Sequence, residues 1–85
     1  FKLNNIYPNP FNPTTLITYE VSKVSNVKVS VYNSNGQLVE ILSNQIHEPG
    51  NYNVIWNAQD FSSGIYVLKL TADNFVDTQK IMFIK

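Results

Sequence analysis

The sequence predicts a small all-β domain, and three observations support this. Val, Ile and Thr together contribute 22 of the 85 residues and alanine only two, and β-branched side chains favour pleated strands over helices. Twelve asparagines, four prolines and three glycines supply the residues of tight turns. Between these turns apolar and polar residues alternate with period two, without the 3.6-residue period of an amphipathic helix. This pattern is typical of antiparallel sheets packed face to face.

Length and composition restrict the number of domains and the kinds of partner. The 85 residues predict a single domain, 1–85, because halves of about 40 residues would need disulfides or metals. The chain has no cysteine and one histidine, which excludes a disulfide framework and a multi-histidine metal cage. Six lysines, no arginine and six acidic residues give zero net charge, which argues against nucleic acid as a partner. No apolar run is long enough for a membrane helix, so we expect no stable membrane insertion.

Residues 1–13 are predicted to be a Pro/Asn-rich lead-in that precedes a β-sandwich of residues 14–85. The segment Tyr7–Pro13 contains three prolines, which remove backbone donors and hold the preceding residues extended. We therefore expect a stiff, mostly polyproline-like segment. The chain opens at Phe1 without an initiator methionine or a signal peptide, so we expect a module of a longer protein.

Six strands are predicted in the sandwich from their alternating patterns. They are Thr14–Val21, Val27–Tyr32, Leu38–Leu42, Asn51–Asn57, Ile65–Ala72 and Phe75–Ile84. The apolar face of each strand is expected to point into one core. The predicted core consists of Ile17, Tyr19, Val29, Val31, Val54, Trp56, Tyr66, Leu68 and Leu70.

The first hairpin is predicted to turn through a three-residue loop, Ser34–Gly36. A shorter loop would set Val31 opposite Glu40 and bring a carboxylate onto the valine face. The three-residue loop instead pairs Val31 with Val39, because directly opposed residues share a face of the sheet. Such a loop is a type I turn followed by a glycine in the left-handed region, which here is Gly36.

The last hairpin is predicted to turn through Ala72–Asn74, which pairs Leu70 with Val76. Beyond Lys80 the alternation fails, because Ile81–Ile84 are all apolar. Either a bulge near Lys80 shifts the phase of the strand, or both of its faces are covered.

Gly64 stands where the chain begins the strand that contains Tyr66. A positive φ or a close approach of the backbone would suit only glycine at this point, and a loop glycine with ordinary angles is the alternative. We expect a positive φ at Gly64.

No arrangement of catalytic or metal-binding residues is recognisable, so we expect neither an enzyme nor a cofactor. His47 lies in a polar stretch and is interpreted as a solvated loop histidine, since no serine or cysteine nucleophile motif accompanies it. The three glycines are isolated, so they form no phosphate-binding loop. Three aromatic residues outside the predicted core, Tyr7, Phe11 and Tyr32, could form an exposed platform for sugar rings, although isolated exposed aromatics are common.

Four blocks of the sequence resemble the type A C-terminal sorting domain of the type IX secretion system, the Por secretion tail family. They are the opening Tyr7-Pro8-Asn9-Pro10 and its continuation to Thr15, the hairpin Val29–Val39 around Gly36, the segments Gly50–Asn57 with Trp56 and Phe61–Tyr66, and the lysine-flanked tail Thr78–Lys85. One block alone would be a weak match, but four in the same order are specific. Phe61 departs from the pattern, since leucine is more usual there.

The resemblance implies an immunoglobulin-like antiparallel β-sandwich of about seven strands, similar to a domain of flagellar hook-capping proteins. It also implies a non-catalytic C-terminal signal on a larger secreted cargo protein of the Bacteroidetes. The type IX outer-membrane translocon reads this signal, and a sortase-like peptidase often removes it. By the same resemblance, we expect the cargo to pass through the periplasm and outer membrane and to be secreted or bound to the cell surface.

A passive accessory or carbohydrate-binding module of an extracellular hydrolase is the alternative function, because this fold serves several uses. An apolar tail that ends at Lys85 favours sorting, provided that Lys85 is the native C-terminus. The candidate residues for translocon recognition are Gly64, Ile65, Tyr66, Lys80, Ile81, Met82, Phe83, Ile84 and Lys85. As a terminal edge strand, the tail is expected to offer unpaired backbone groups to a receptor strand. Removal of Ile81–Lys85 is expected to abolish export while the sandwich stays folded.

Overall fold

A computed structural model describes residues 1–85 as seven β-strands without a helix. The strands are β1 (Lys2–Tyr7), β2 (Thr14–Val21), β3 (Ser25–Asn33), β4 (Leu38–His47), β5 (Gly50–Asn57), β6 (Gly64–Ala72) and β7 (Phe75–Phe83). One sheet has the order β1-β2-β5 and the other β4-β3-β6-β7, and every pairing is antiparallel. No helix of a length and hydropathy that could cross a membrane is present.

The two sheets enclose one core of 17 buried apolar residues. All of the predicted core side chains are buried except Val54, which is partly buried. Trp56 is the largest of the fully buried side chains, and its ring contacts Phe11, Phe61 and Tyr66 at centroid distances of 5.2 to 5.8 Å. The predicted two-sheet antiparallel sandwich is therefore confirmed.

The strand order follows the immunoglobulin-like plan of a sandwich. The first, second and fifth strands form one sheet and the third, sixth and seventh the other, while β4 joins the edge of the second sheet. Tyr66, near the start of β6, donates its hydroxyl to the carbonyl of Ser62 at 2.6 Å, which is the tyrosine-corner contact of such domains. Tyr52 donates to the carbonyl of Glu48 in the same way, also at 2.6 Å. Each contact ties the strand that carries the tyrosine to the loop that precedes it.

Strand β1 lies within the residues that the sequence analysis placed in the lead-in. It pairs with β2, and its register shifts between Leu3 and Ile6. Both of these side chains are buried although they are three positions apart, so a bulge must carry them to the same face. The bulge breaks the alternation by which a strand is recognised, which is why the sequence did not predict β1.

The segment after β1 also differs from the prediction. Residues 8–10 and 12–13 bend around Phe11 and do not run as an extended polyproline helix. The side chain of Phe11 is only 2% exposed, because the bend carries it into the sandwich. Its stacking on Phe83, with centroids 5.2 Å apart, determines the path of this segment.

The first hairpin has the predicted three-residue loop but a different register beyond it. Gly36 has a φ of 81°, and Tyr32 faces Leu38 as expected. A bulge then sets Val31 opposite Glu40, so the predicted pairing with a valine is wrong. The carboxylate of Glu40 accepts a hydrogen bond from the indole Nε1 of Trp56 at 3.1 Å. A buried indole N–H requires an acceptor, and this requirement explains a carboxylate at the margin of the core.

The last hairpin turns through two residues and not the predicted three. Ala72 pairs directly with Phe75, and Leu70 faces Asp77. Asp73 occupies the first position of the turn with a φ of 53°, a conformation that aspartate tolerates better than most residues. Its carboxylate accepts a hydrogen bond from Ser25 Oγ at 3.0 Å. This contact ties the two-residue turn to the start of β3.

Candidate functional site

The C-terminal tail keeps a regular alternation to the end of β7. The register between β6 and β7 contains no shift, so Ile81 and Phe83 point into the core and are buried. Met82 and Ile84 point outward and remain 38% and 50% exposed. Neither explanation offered for the apolar run is correct, because the strand has no bulge and its outer face is not covered. The tail therefore alternates regularly between buried and exposed side chains, and its exposed face is apolar at Met82 and Ile84.

The free edge of β7 is closed at its C-terminal end by the bent segment Pro8–Pro13. The backbone N–H of Phe11 donates to the carbonyl of Met82, and the N–H of Ile84 donates to the carbonyl of Phe11, both at 3.0 Å. The side chain of Asn9 accepts from the N–H of Met82 at 2.9 Å and donates to the carbonyl of Lys80 at 3.2 Å. These bonds occupy the backbone groups that the sequence analysis expected to be unpaired.

The aromatic residues outside the predicted core do not form a platform. Phe11, which was considered for an exposed platform, is buried between Phe83 and Trp56. The ring of Tyr32 is partly buried, and the Lys69 ammonium lies 5.6 Å from its centroid. Tyr7 alone is well exposed, at 79%. A surface for stacking sugar rings, which a carbohydrate-binding module would need, is therefore not assembled from these three.

The structure brings the two halves of the candidate recognition set together. Gly64, Ile65 and Tyr66 pair directly with Phe83, Met82 and Ile81 across β6 and β7. Ile65 and Met82 share the outer face of this pair, and both are partly exposed. Beyond the strand, the N–H of Lys85 donates to Ser63 Oγ at 2.8 Å. The start of β6 thus holds the end of the chain in place.

Gly64 has a φ of 156°, so the expected positive φ is confirmed. The alternative reason for a glycine, a close approach of the backbone, does not apply, because no atom lies within 4 Å of the position of an added Cβ. The need for glycine at this point is conformational.

An open groove of about 360 Å³ lies beside the start of β6. It lies between the hairpin loop Ser34–Gly36 and the loop that ends at Gly64, and its lining is mostly polar. No group of three or more His, Cys, Asp or Glu side chains in the chain is arranged to hold a metal ion. The groove presents hydroxyl and amide groups without a nucleophile and base in contact.

His47 is buried at the end of β4, so its interpretation as a solvated loop residue is wrong. Its Nε2 is hydrogen-bonded to the hydroxyl of Tyr19 at 2.8 Å, and its ring stacks on Tyr52 at 4.2 Å. Burial raises the pKa of the Tyr19 phenol above its usual 10.0. The sequence missed this cluster because β4 continues beyond its predicted end at Leu42 and changes phase at its bulges.

Comparison with known proteins identifies the family of the chain. No curated protein and no solved structure matches it. Residues 5–85 match the model of the family described as the secretion system C-terminal sorting domain, Por_Secre_tail. The match extends from the middle of β1 to the last residue and therefore includes both the tail and the segment that closes its edge. The chain belongs to the family of type IX secretion C-terminal sorting domains.

Proposed function

We propose that this domain is a signal that directs a larger cargo chain through the outer-membrane translocon of the type IX system. Membership of the family supports the general role, a C-terminal sorting signal for this system on a chain destined for secretion or the cell surface. The observation that carries the specific proposal is the tail patch, which we define as the side chains of Ile65, Lys80, Met82, Ile84 and Lys85. It is the exposed part of the candidate recognition set.

The tail patch is read through its side chains and not through its backbone. Asn9 and Phe11 already bond the outward backbone groups of Lys80, Met82 and Ile84. A receptor therefore finds no free ladder at this end of β7 on which to add a strand. It finds an apolar strip between two ammonium groups, an arrangement that can supply the apolar centre and polar rim of a recognition surface.

Charge supports a receptor with acidic groups. The only ion pair of the chain joins Lys23 to Asp73 at 3.6 Å, so Lys80 and Lys85 have no carboxylate partner. Free ammonium groups beside an apolar strip keep the tail soluble before binding. They also attract a complementary acidic surface and orient the encounter.

Removal of the domain after export belongs to the same proposal. A peptidase acts on accessible, extended backbone, whereas residues 2–7 are paired in β1. A sortase-like peptidase would therefore cut on the N-terminal side of Lys2, where hydrolysis leaves the sandwich intact. On this route the cargo crosses the periplasm and outer membrane before cleavage, and the domain itself needs no catalytic role.

A reporter fusion tests the proposal. The reporter is joined to the N-terminus of residues 1–85 and expressed in a bacterium with a type IX system and in the same strain without the translocon. The double variant Met82→Ser, Ile84→Ser removes the apolar strip, and Val76→Ser is the matched control, since Val76 is an exposed residue on the same face of β7. We expect the double variant to lose export to the level of the translocon-deficient strain and the control to export normally.

Folding is measured separately from export. The isolated variants should melt within a few degrees of the unchanged domain, because exposed side chains contribute little to stability. Deletion of Ile81–Lys85 does not make this separation, because it removes Ile81 and Phe83 from the core. Normal export of a folded double variant would refute the tail patch as the signal. Export of the unchanged fusion without the translocon would refute the sorting function itself.

A further inference from the structure

The four edge strands of the sandwich are protected to different degrees. The edges are β1 and β5 in one sheet and β4 and β7 in the other. Strand β1 carries a bulge, and the side chain of Gln79 donates to the carbonyls of Leu3 and Asn4 at 3.3 and 2.8 Å. Strand β4 is interrupted by two register shifts, and β7 is closed by Asn9 and Phe11. Bulges and covering segments of this kind prevent further strands from pairing.

Strand β5 has no such protection. It pairs with β2 without a shift, from Val21 opposite Gly50 to Thr14 opposite Asn57. Its eight residues contain neither a charged side chain nor a proline, the residues that most often protect an edge. Strand β4 is regular only from Ser43 to His47, and β7 is closed from Lys80 onward. Strand β5 is therefore the longest regular and uncharged edge of the sandwich, which indicates a binding surface.

The outward backbone groups of β5 can be identified from the ladder. The N–H of Ala58 donates to the carbonyl of Pro13 at 2.9 Å, and this bond continues the ladder between β2 and β5. Because hydrogen-bonded positions alternate in an antiparallel pair, Asn51, Asn53 and Ile55 direct their N–H and C=O groups away from β2. No loop or side chain of the chain bonds these groups. They form a vacant ladder at the edge of the sheet.

The charged residues next to β5 are acidic, and the lysine nearest to them in register is Lys2 of β1, opposite Glu20. Glu48 precedes β5, Asp60 follows it, Glu20 faces Asn51 from β2, and Glu40 bonds Trp56 from β4. None of these four carboxylates takes part in an ion pair, since the chain forms only one and it involves Asp73. No lysine lies on β2, β4 or β5. The edge is therefore uncharged along its length and flanked by acid at both ends.

We propose that the edge of β5 binds an extended basic segment of a partner protein, which adds as a fourth strand to the sheet β1-β2-β5. The backbone of the partner pairs with Asn51, Asn53 and Ile55. An apolar side chain packs on Ile55, which is 64% exposed, and flanking lysines or arginines meet the carboxylates at the two ends. A second copy of this chain is a poorer occupant, because its own β5 carries the same acidic flanks. This site is independent of the tail patch.

Binding is tested with a synthetic probe and the 85-residue chain. The probe is the capped peptide Lys-Val-Thr-Val-Thr-Val-Lys, and the control peptide has glutamate in place of both lysines. We expect the lysine peptide to shift the backbone amide NMR signals of Asn51, Asn53 and Ile55 in a saturable way and to slow their hydrogen exchange. The glutamate peptide should leave these signals unchanged, and added salt should weaken the lysine peptide.

Variants of the chain test whether the peptide binds at the edge of β5 and not elsewhere on the molecule. Asn53→Pro removes an outward N–H, a change that an edge strand tolerates, and should abolish binding. Ile55→Thr should weaken it, whereas Leu16→Thr, at the position opposite Ile55 on the same exposed face, should not. The double variant Glu48→Gln, Asp60→Asn should weaken binding more than Asp77→Asn, which changes a carboxylate distant from β5.

Three outcomes would overturn the proposal. The first is the absence of saturable shifts at millimolar peptide, or saturable shifts confined to β4 or β7. The second is equal binding of the lysine and glutamate peptides, which would show that the partner does not need to be basic. The third is a change in the β5 signals with protein concentration alone, which would make a second copy the occupant. Loss of peptide binding in Asn53→Pro counts for the proposal only if that variant shows an unchanged cooperative melt.

Discussion

Strands β7 and β5 are both edge strands, but they differ in whether their outward backbone groups are already bonded. The outward backbone of β7 is closed at its C-terminal end by Asn9 and Phe11, and the exposed face there is apolar between lysines. The outward backbone of β5 is open, and its exposed face is uncharged and rich in asparagine. The residues that close β7 lie 71 to 73 positions away in the chain. The apolar character of an edge strand therefore does not indicate whether its backbone is available, since closure depends on a distant segment.

The largest expected effect concerns the inner face of β5. Replacement of Trp56 by alanine should cost about 3–5 kcal/mol, because the indole is fully buried and its Nε1 bonds Glu40. A domain of this size has roughly 5–10 kcal/mol of stability, so Trp56→Ala should be largely unfolded near body temperature. Thermal melting followed by circular dichroism measures this. Ile55→Ala, on the exposed face of the same strand, is the control and should melt like the unchanged domain.

A melt of Trp56→Ala within a few degrees of the unchanged domain would show that β5 is not held by its inner face. The open edge would then have to be explained by a loosely attached strand.

The second effect concerns the segment that closes β7. Phe11→Ala should cost about 3 kcal/mol, the lower end of the range for a buried phenylalanine, because the ring stacks on Phe83 and Trp56 at 5.2 and 5.5 Å. It should also release the N–H of Ile84, so that hydrogen exchange at this amide becomes faster than the global unfolding rate allows. Tyr7→Ala, at the exposed end of β1 immediately before this segment, should change neither quantity. Full protection of Ile84 in a folded Phe11→Ala domain would contradict closure by this segment.

A smaller effect is expected where β6 begins beside the tail. Gly64→Val should destabilise the domain by more than about 1 kcal/mol, because a side chain is strained at a positive φ. The space around the added atoms is open, so Gly64→Ala should also be destabilising for the same backbone reason. Chemical denaturation measures both variants, with Ile65→Val as the neutral control. If Gly64→Ala were as stable as the unchanged domain, the account based on φ would be wrong.

The smallest effect concerns the side-chain bonds of Asn9. Asn9→Ala should cost about 1 kcal/mol, because two hydrogen bonds to β7 are lost and each contributes about 0.5–1.5 kcal/mol, less where solvent competes. Exchange of the Met82 amide should become faster, while the Phe11 contacts keep the amide of Ile84 protected. Asn12→Ala, an exposed asparagine of the same segment, is the matched control. Equal exchange at Met82 in both variants would show that Asn9 does not close the edge.

Local rules made part of this structure predictable. The alternation along β2, β3, β5 and β6 identified the buried face of each strand, because period two is a property of the extended backbone itself. The loop that contains Gly36 and the positive φ of Gly64 follow from steric limits that act within a few residues. Four ordered blocks likewise indicated the family. None of these inferences needed a contact between distant residues.

Other features depended on contacts that only the folded chain provides. Strand β1 and the register of β4 contain bulges, and a bulge removes the alternation by which a strand is recognised. The burial of His47 and Phe11 is determined by rings on other strands. The candidate sites also depend on contacts between distant residues, since Gly64 pairs with Phe83 across a hairpin and Asn9 closes the edge of β7. By itself the sequence determined the class of fold and its core, because these follow from local periodicity. The tertiary structure decided which edges are closed, because closure requires packing between residues far apart in the chain.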